Sequence, residues 1–222
     1  RCHRSGASGL TRSGRPFVMT SRDRMNRRII SAMQLSLDGF IEGPNGELDW
    51  IETWEDYYGL MAQVDACVLG AGMYPGYEQY WSAVLATPGE PLPFTGMPAT
   101  PGEIDYARFA RRTPHYGLSK TLTTAAWDNT RFVRDVGEVR QLQQQPGKDI
   151  YAVGGAALVS ALLEADAVDE LRLAIHPVLL GRGKPLFDNL SRRHALTLVQ
   201  TRALPWGTVE LTYGVATPTA SC

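Results

Sequence analysis

The spacing of apolar residues along the chain changes several times, and each change marks a new element. Short apolar runs at 28–35, 65–70, 149–153 and 169–178 have the composition of buried strands. Residues 135–145 and 156–164 place apolar side chains at helical spacing instead, and Pro146-Gly147 ends the first of these helices. Strands that alternate with helices predict layers of helices around a mostly parallel sheet.

Two long alternating runs, at 195–204 and 207–216, close the pattern, and Pro205-Trp206-Gly207 links them. A period of two predicts strands, and their proximity predicts an antiparallel hairpin whose proline-containing link is a loop. We therefore expect an α/β fold of three α/β/α layers, with a mostly parallel central sheet and a C-terminal antiparallel hairpin. This fold would form a single domain over residues 25–217.

The remaining segments are less regular. Apolar residues at helical spacing after residue 48 predict a helix over Asp49–Tyr58, and a turn after Gly70 leads into a short helix rich in aromatic residues. Residues 114–119 and 131–134 are two further short strands. From Ala86 to Gly102 the chain holds five prolines without periodicity, which predicts a long surface loop of the kind that forms lids or binding walls.

Composition narrows the function classes. The 222 residues carry a formal net charge of −1 with both signs mixed, so no global field favours nucleic acid or an anionic membrane. Residues 1–24 hold six arginines and one aspartate among serines and glycines, which predicts a flexible basic tail, and residues 218–222 form a C-terminal tail. No apolar run reaches the roughly 20 residues of a membrane span. We expect a cytoplasmic protein that binds small molecules and a second copy of itself.

The cysteines give no metal site. Cys2, Cys67 and Cys222 are scattered along the chain, without the paired spacing of zinc ligands. A reduced, intracellular protein without a metal is therefore expected.

Candidate chemistry gathers where predicted strands end. In D-I-Y-A-V-G-G-A-A-L a strand passes through Gly154 and Gly155 into a helix without a polar capping residue. Such a turn is either a tight corner or a cradle in which helix N–H groups bind phosphate, and the glycine pair alone leaves both open. Similar junctions occur at C-V-L-G-A-G-M-Y and Y-G-L-S-K-T-L. Because carboxyl ends of parallel strands share one sheet edge, their convergence predicts a nucleotide or dinucleotide site.

These segments, in the order S-L-D-G-F-I, L-G-A-G-M-Y, S-K-T-L, D-I-Y-A-V-G-G-A-A-L-V and D-E-L-R-L-A-I-H-P-V-L-L-G-R-G-K-P-L-F, closely resemble the dihydrofolate-reductase-like superfamily. The resemblance is closer to the reductase domain of the bifunctional riboflavin-biosynthesis deaminase/reductase, and it extends over residues 27–215. It implies an NADPH-dependent reductase that reduces a C=N or C=O bond of a small heterocycle, pterin-like or riboflavin-precursor-like. Members of this kind are commonly homodimers.

The resemblance also implies cofactor-binding residues. The turn at 154–157 would hold the pyrophosphate, while the other two junctions would flank the adenosine, which gives Gly70, Ala71, Gly72, Met73, Ser119, Lys120, Gly154, Gly155, Ala156 and Ala157. Relatives usually carry an arginine where this chain has Ala71, and that arginine meets the 2′-phosphate of NADPH. Lys120 could supply the charge instead, so we expect NADPH and keep NADH open.

The resemblance places the substrate between the first strand, the Asp49–Tyr58 helix and the proline-rich loop. Glu55 or Asp56 would be the catalytic carboxylate, although the pattern E-T-W-E-D favours a solvated acidic helix face for each of them. Gln34, Asp38 and Trp50 are candidate substrate contacts, and Asp38 before glycine also suits a plain turn. The missing arginine and the missing carboxylate motif leave a second hypothesis, a nucleotide-binding sensor or assembly module without catalysis.

Overall fold

The computed structural model describes residues 26–92 and 96–216, so both predicted tails lie outside the described residues. Its elements, in chain order, are β1 Ile29–Ser36, β2 Phe40–Glu42, β3 Val64–Gly70, α1 Tyr74–Ala86, α2 Pro101–Arg112, β4 His115–Leu118, β5 Thr130–Val133, α3 Val136–Gln143, β6 Asp149–Gly154, α4 Ala156–Glu164, β7 Glu170–His176, β8 Lys184–Pro185, β9 Leu196–Ala203 and β10 Val209–Val215. In these ranges no helix has both the length and the apolar character needed to cross a membrane.

One sheet joins eight of these strands in the order β5-β4-β3-β6-β1-β7-β10-β9. Neighbours from β5 to β7 run parallel, and β10 is antiparallel to both β7 and β9. The short strands β2 and β8 form a separate antiparallel ribbon. The predicted parallel sheet with an antiparallel C-terminal hairpin is therefore confirmed, and its hairpin link is a 3₁₀ turn over Pro205–Gly207.

The core divides into two clusters on opposite faces of the sheet. One face packs against α1 and α2 and is rich in aromatic residues, and the other packs against α3 and α4. The β1 side chains show the division, because Ile30 belongs to the first cluster and its neighbour Ile29 to the second. This arrangement confirms the expected three layers.

The helix predicted over Asp49–Tyr58 is wrong, because residues 48–63 form loops and turns. The two carboxylate oxygens of Asp56 accept the backbone N–H groups of Leu60 and Met61, each at 2.8 Å, and so stabilise a turn. The Tyr58 hydroxyl donates to the Met33 carbonyl at 2.8 Å, which fixes the segment against β1. Its apolar spacing reflects burial against the sheet and not a helical face.

The proline-rich loop ends earlier than predicted. Helix α2 begins at Pro101, where no helix was predicted from the sequence. Thr100 accepts the Glu103 N–H at 3.1 Å, and the Glu103 carboxylate accepts the Thr100 N–H at 2.9 Å, which is a complete capping box. The capping-box pattern was present in the sequence as T-P-G-E, at the end of the stretch that was interpreted as a loop.

Candidate active site

A cavity of about 500 Å³ opens at the carboxyl edge of the sheet. Its walls come from the middle of β1, the loop after β2, the turns after β3 and β6, the first turn of α4, and aromatic residues of α1 and α2. The lining residues are Ala32, Met33, Gln34, Ile41, Glu42, Leu48, Ile51, Trp54, Glu55, Asp56, Tyr58, Gly70, Ala71, Gly72, Met73, Tyr77, Trp81, Tyr106, Leu118, Tyr151, Val153, Gly155, Ala156, Ala157, Leu158 and Lys184.

The first turn of α4 presents unpaired backbone donors to this cavity. Its N-cap residue, Gly155, has φ +73° and offers no side chain to cap the helix. The first N–H groups of a helix lack partners within the helix, and the helix dipole adds partial positive charge there. Ala156 and Ala157 carry these groups at the cavity wall, so the turn has the composition and geometry of a phosphate cradle.

Gly154 has a different structural role. Its φ of +130° is one that L side chains rarely adopt, and a Cβ added there would lie 2.3 Å from the Met33 sulfur. Gly154 does not line the cavity itself. It lets β6 turn closely over β1, and this places Gly155 at the wall.

The turn over 70–73 lies beside the α4 start. The Ala71 N–H donates to the Leu118 carbonyl at 3.1 Å, and the Met73 N–H donates to the Gly70 carbonyl at 3.1 Å. A Cβ on Gly155 would be 4.0 Å from the Met73 Cβ, so the two turns are in contact. The structure thus brings these two of the three predicted junctions together on one cavity.

The helices that begin at the cavity differ from the others at their N-termini. Thr100 caps α2 and Asp135 caps α3 with side-chain acceptors, whereas α1 and α4 have no side-chain cap. Both uncapped helices start at junctions that line the cavity. The first donors of α4 are therefore located where a ligand can use them, whereas Pro75 in the first turn of α1 has no N–H to offer.

The third junction reaches the cavity wall only through Leu118, and its two predicted cofactor contacts, Ser119 and Lys120, do not line the cavity. Ser119 is buried, and its hydroxyl accepts the N–H groups of Thr121 at 3.2 Å and Leu122 at 2.9 Å, while Lys120 is exposed. Arg134 donates to the carbonyls of Ser119 and Leu122, each at 2.8 Å. Sequence reasoning did not identify Arg134, because its contacts depend on the pairing of β4 with β5.

The two candidate carboxylates both line the cavity. Both Asp56 oxygens are occupied by backbone donors of the turn described above. Glu55 lies at the start of α2, where its Oε2 accepts from the Thr100 hydroxyl at 3.4 Å and where Gly102 leaves it room. Of the two carboxylates, Glu55 has the looser contacts.

Gln34 lines the cavity, and its amide forms three hydrogen bonds within the protein, two at Oε1 and one at Nε2. Its Oε1 accepts from the Tyr57 hydroxyl at 2.9 Å and from His176 Nε2 at 2.7 Å, and its Nε2 donates to the Thr53 carbonyl at 3.3 Å. Because a carbonyl oxygen only accepts, His176 carries its proton on Nε2. Burial lowers the pKa of His176, consistent with a neutral ring. The Trp50 ring stands edge-on to His176, with centroids 5.4 Å apart.

Two predicted substrate contacts, Trp50 and Asp38, lie outside the cavity wall. Asp38 is exposed, and its carboxylate accepts from the Ser36 hydroxyl at 2.7 Å and from the N–H groups of Leu180 and Gly181 at 3.2 and 2.7 Å. The Ser36 hydrogen bond, with help from those backbone donors, lowers the pKa of Asp38. Asp38 thus fastens the β1–β2 turn to the loop before β8.

Four tyrosines line the cavity, Tyr58, Tyr77, Tyr106 and Tyr151, and sequence reasoning did not identify the last three as site residues. Burial raises the pKa of each phenol well above its usual range. Tyr77 and Tyr106 share a hydrogen bond of 3.3 Å, and Tyr77 lies 3.3 Å from His115 Nε2. Burial lowers the pKa of His115 to about 4, so the ring is neutral. Each tyrosine comes from a different element or segment, so no local motif could have shown the group.

The sequence of this chain is similar to one protein family and to two proteins of Bacillus subtilis. Residues 109–209 match the RibD C-terminal domain family. The "uncharacterized protein YyaP" of Bacillus subtilis (strain 168) is 36% identical over 192 residues, which are 84% of this chain and 94% of YyaP. The "uncharacterized protein YwjB" of the same organism is 26% identical over 191 residues, covering 80% and 92%.

Two solved structures share the fold. A putative riboflavin biosynthesis protein from Shewanella sp. PV-4 superposes with a TM-score of 0.64 at 21% identity, over 86% of this chain and 99% of that one. The diaminohydroxyphosphoribosylaminopyrimidine deaminase/5-amino-6-(5-phosphoribosylamino)uracil reductase of Thermotoga maritima gives a TM-score of 0.60 at 13% identity, over 87% of this chain and 58% of that one.

Proposed function

This chain belongs to the RibD C-terminal domain family, within the dihydrofolate-reductase-like superfamily, and on that premise we propose that it is an NADPH-dependent reductase. The reaction is the transfer of a hydride to a C=N or C=O bond of a small, heterocyclic substrate that resembles a pterin or a riboflavin precursor. The observation that supports this most directly is the pair of uncapped helix starts, α1 and α4, on one cavity.

The residues present fit a dinucleotide. The uncapped first turn of α4 would bind the pyrophosphate through the N–H groups of residues 155–157, where the glycine backbone admits a close approach. A Cβ added to Gly72 would have no other atom within 4 Å, so a ligand has room there. The turn over 70–73 would lie against the adenosine half of the coenzyme, together with Ser119 and Lys120. NADPH would supply the hydride.

The reduced bond also needs a proton at its nitrogen or oxygen. We propose that Glu55 delivers it, with Asp56 as the second candidate. Glu55 has one weak hydroxyl contact at 3.4 Å, whereas Asp56 is committed to two backbone donors at 2.8 Å. A partly buried carboxyl group on the wall of a cavity suits general acid catalysis.

The central test is coenzyme binding followed by turnover. We expect NADPH to quench tryptophan fluorescence saturably, and Gly155→Val to weaken binding about a hundredfold, because a β-branched residue at φ +73° displaces the helix start. The same titration with NADH measures the preference that Ala71 leaves open. Absence of saturable binding by either coenzyme would contradict the proposal.

Turnover separates an enzyme from a binding module. A panel of pterins, riboflavin precursors and small carbonyl compounds should include one that oxidises NADPH, measured as loss of the near-ultraviolet absorbance of the reduced nicotinamide. Glu55→Gln should then lower kcat about a hundredfold with little change in NADPH binding. Tight NADPH binding without oxidation of any panel member would favour the sensor or assembly module instead.

We also propose a homodimer, in which β9 supplies the interface. All eight β9 residues are exposed, and β9 is the edge strand of the sheet. Leu196, Leu198 and Val199 have exposed fractions of 42%, 55% and 61%. An exposed edge strand that carries apolar side chains is a template for pairing with another chain, and pairing with a second copy about a twofold axis satisfies both edges at once.

Sedimentation velocity tests the dimer. The wild-type protein should sediment as a dimer at micromolar concentration, and Val199→Lys should shift it toward the monomer, since it places charge in the interface. Leu37→Lys is the matched control, because Leu37 is 64% exposed but lies outside β9. A monomeric wild-type protein, or equal effects of the two substitutions, would refute the β9 interface.

A further inference from the structure

The charges of the cavity wall are unbalanced. Among the described lining residues, three carboxylates, Glu42, Glu55 and Asp56, stand against a single ammonium group, that of Lys184. Beside these carboxylates the wall favours neutral or cationic groups of a ligand and opposes anionic ones, whereas the uncapped α4 start favours the coenzyme pyrophosphate.

The Lys184 ammonium group is already paired. Its Nζ lies 3.0 Å from Glu42 Oε1, and the ribbon of β2 with β8 places these two residues opposite one another. A Cβ on Gly183 would lie 2.2 Å from the Glu42 carbonyl oxygen, so the two strands are closely packed at this point. The two side chains are partly exposed, 53% for Lys184 and 33% for Glu42, so a ligand that approaches the ammonium group also meets the Glu42 carboxylate.

Three arginines, Arg172, Arg182 and Arg202, do not line the cavity, and two of them are paired with other groups. Arg172 donates to the Tyr58 carbonyl at 2.7 Å and pairs with Glu170 at 2.6 Å. Arg202 pairs with Glu210 and donates to the Tyr57 carbonyl. Arg182 is exposed in the loop before β8 and does not line the cavity.

The donors for phosphate are confined to the coenzyme end of the cavity. The α4 start offers several backbone N–H groups, and they belong to the proposed pyrophosphate position. At the other end the wall offers apolar surface from Ile41, Leu48 and Ile51, and the indole of Trp54, whose Nε1 is buried without a hydrogen-bond partner among the described atoms. A ring carbonyl suits that donor, and a phosphate finds no free cation among the described lining residues.

We infer that the substrate carries no phosphate group: it is an uncharged or cationic ring compound, and Glu42 is the residue that excludes phosphorylated analogues by holding Lys184. The inference rests on the proposed reductase function, and it narrows the substrate class. The Thermotoga maritima protein with the same fold is named for a phosphoribosyl substrate. This chain would accept the ring of such a compound without its phosphate.

Phenyl phosphate is a suitable probe, observed by phosphorus NMR in the presence of saturating NADP⁺ so that the coenzyme phosphate positions are filled. The wild-type protein should leave the probe signal unchanged at millimolar concentration. Glu42→Gln removes the carboxylate and keeps the size of the side chain, so it should expose Lys184 and increase probe affinity about tenfold or more. The double variant Glu42→Gln with Lys184→Met should lose that gain.

Binding of phenyl phosphate to the wild-type protein that disappears in Lys184→Met or Arg182→Gln would overturn the inference, since a working phosphate anchor would then exist. No gain in Glu42→Gln would overturn the role of Glu42. Failure of NADP⁺ to bind would count against the reductase proposal alone, because the probe titration with these variants can be repeated without coenzyme and still reports on the Glu42–Lys184 pair.

Discussion

At the residue scale, the two adjacent glycines between β6 and α4, Gly154 and Gly155, have different structural roles, although the sequence does not distinguish them. Gly155 is needed for its positive φ, and open space surrounds the position of its missing Cβ except for Met73 at 4.0 Å. Gly154 combines a positive φ with direct contact against Met33. The first glycine forms a tight corner, and the second lies at the start of α4 where the proposed phosphate cradle opens.

This difference predicts unequal costs of the same substitution. Gly154→Ala should lower the free energy of unfolding by about 3 kcal/mol, because backbone strain and a steric overlap with Met33 add together. Gly155→Ala, the matched control, should lower it by about 1 kcal/mol through strain alone. Urea denaturation of the two variants measures both values. Equal losses would show that the contact with Met33 is relieved at no cost.

At the element scale, the helices divide by how they begin. Where a helix starts away from the cavity, a side chain satisfies its first N–H groups, as Thr100 and Asp135 do. Where a helix starts at the cavity, no side chain does so. The sequence D-I-Y-A-V-G-G-A-A-L already shows that no polar residue caps this helix. It therefore indicates the turn at the start of α4, where we propose the phosphate cradle.

The capping box of α2 is testable at this scale. Thr100→Ala should lower the free energy of unfolding by about 1 kcal/mol, because the Glu103 N–H loses its acceptor. Thr100→Ser keeps the hydroxyl and should stay within about 0.5 kcal/mol of the wild type. Thermal or urea unfolding distinguishes the two. A serine variant as unstable as the alanine variant would mean that the threonine methyl group, and not the cap, stabilises this helix start.

The failure of the Asp49–Tyr58 helix also belongs to this scale. The segment contains apolar residues at helical spacing, yet Asp56, Tyr57 and Tyr58 form hydrogen bonds that a regular helix would not place correctly. The partners of the two tyrosines lie on β1, far away in the sequence. Periodicity alone could not detect that tertiary hydrogen bonds override it.

At the scale of the whole molecule, the parallel pairing of β3 with β6 assembles the site. Gly70 and Gly154 end these neighbouring strands, and their register places Leu69 beside Gly154. Since β4 pairs with β3 in the same direction, Leu118 joins the same edge. The convergence of three junctions was therefore predictable from strand order in an α/β fold, although the third reaches the cavity wall only through Leu118.

The sequence by itself determined the eight strands of the main sheet, most of the helices, the layer order and the uncapped glycine turn, because these follow from local periodicity and from backbone chemistry; it did not indicate the two-residue strand β8. It also carried the family motifs, which lie in contiguous segments. Only the tertiary structure decided which polar groups are free. Gln34 and Asp38 each have hydrogen-bond partners from distant segments, and Lys184 is paired with Glu42 across a two-stranded ribbon. A hydrogen bond between distant segments cannot be predicted from the sequence of either segment alone. Whether a side chain is available to bind a ligand therefore depends on the fold.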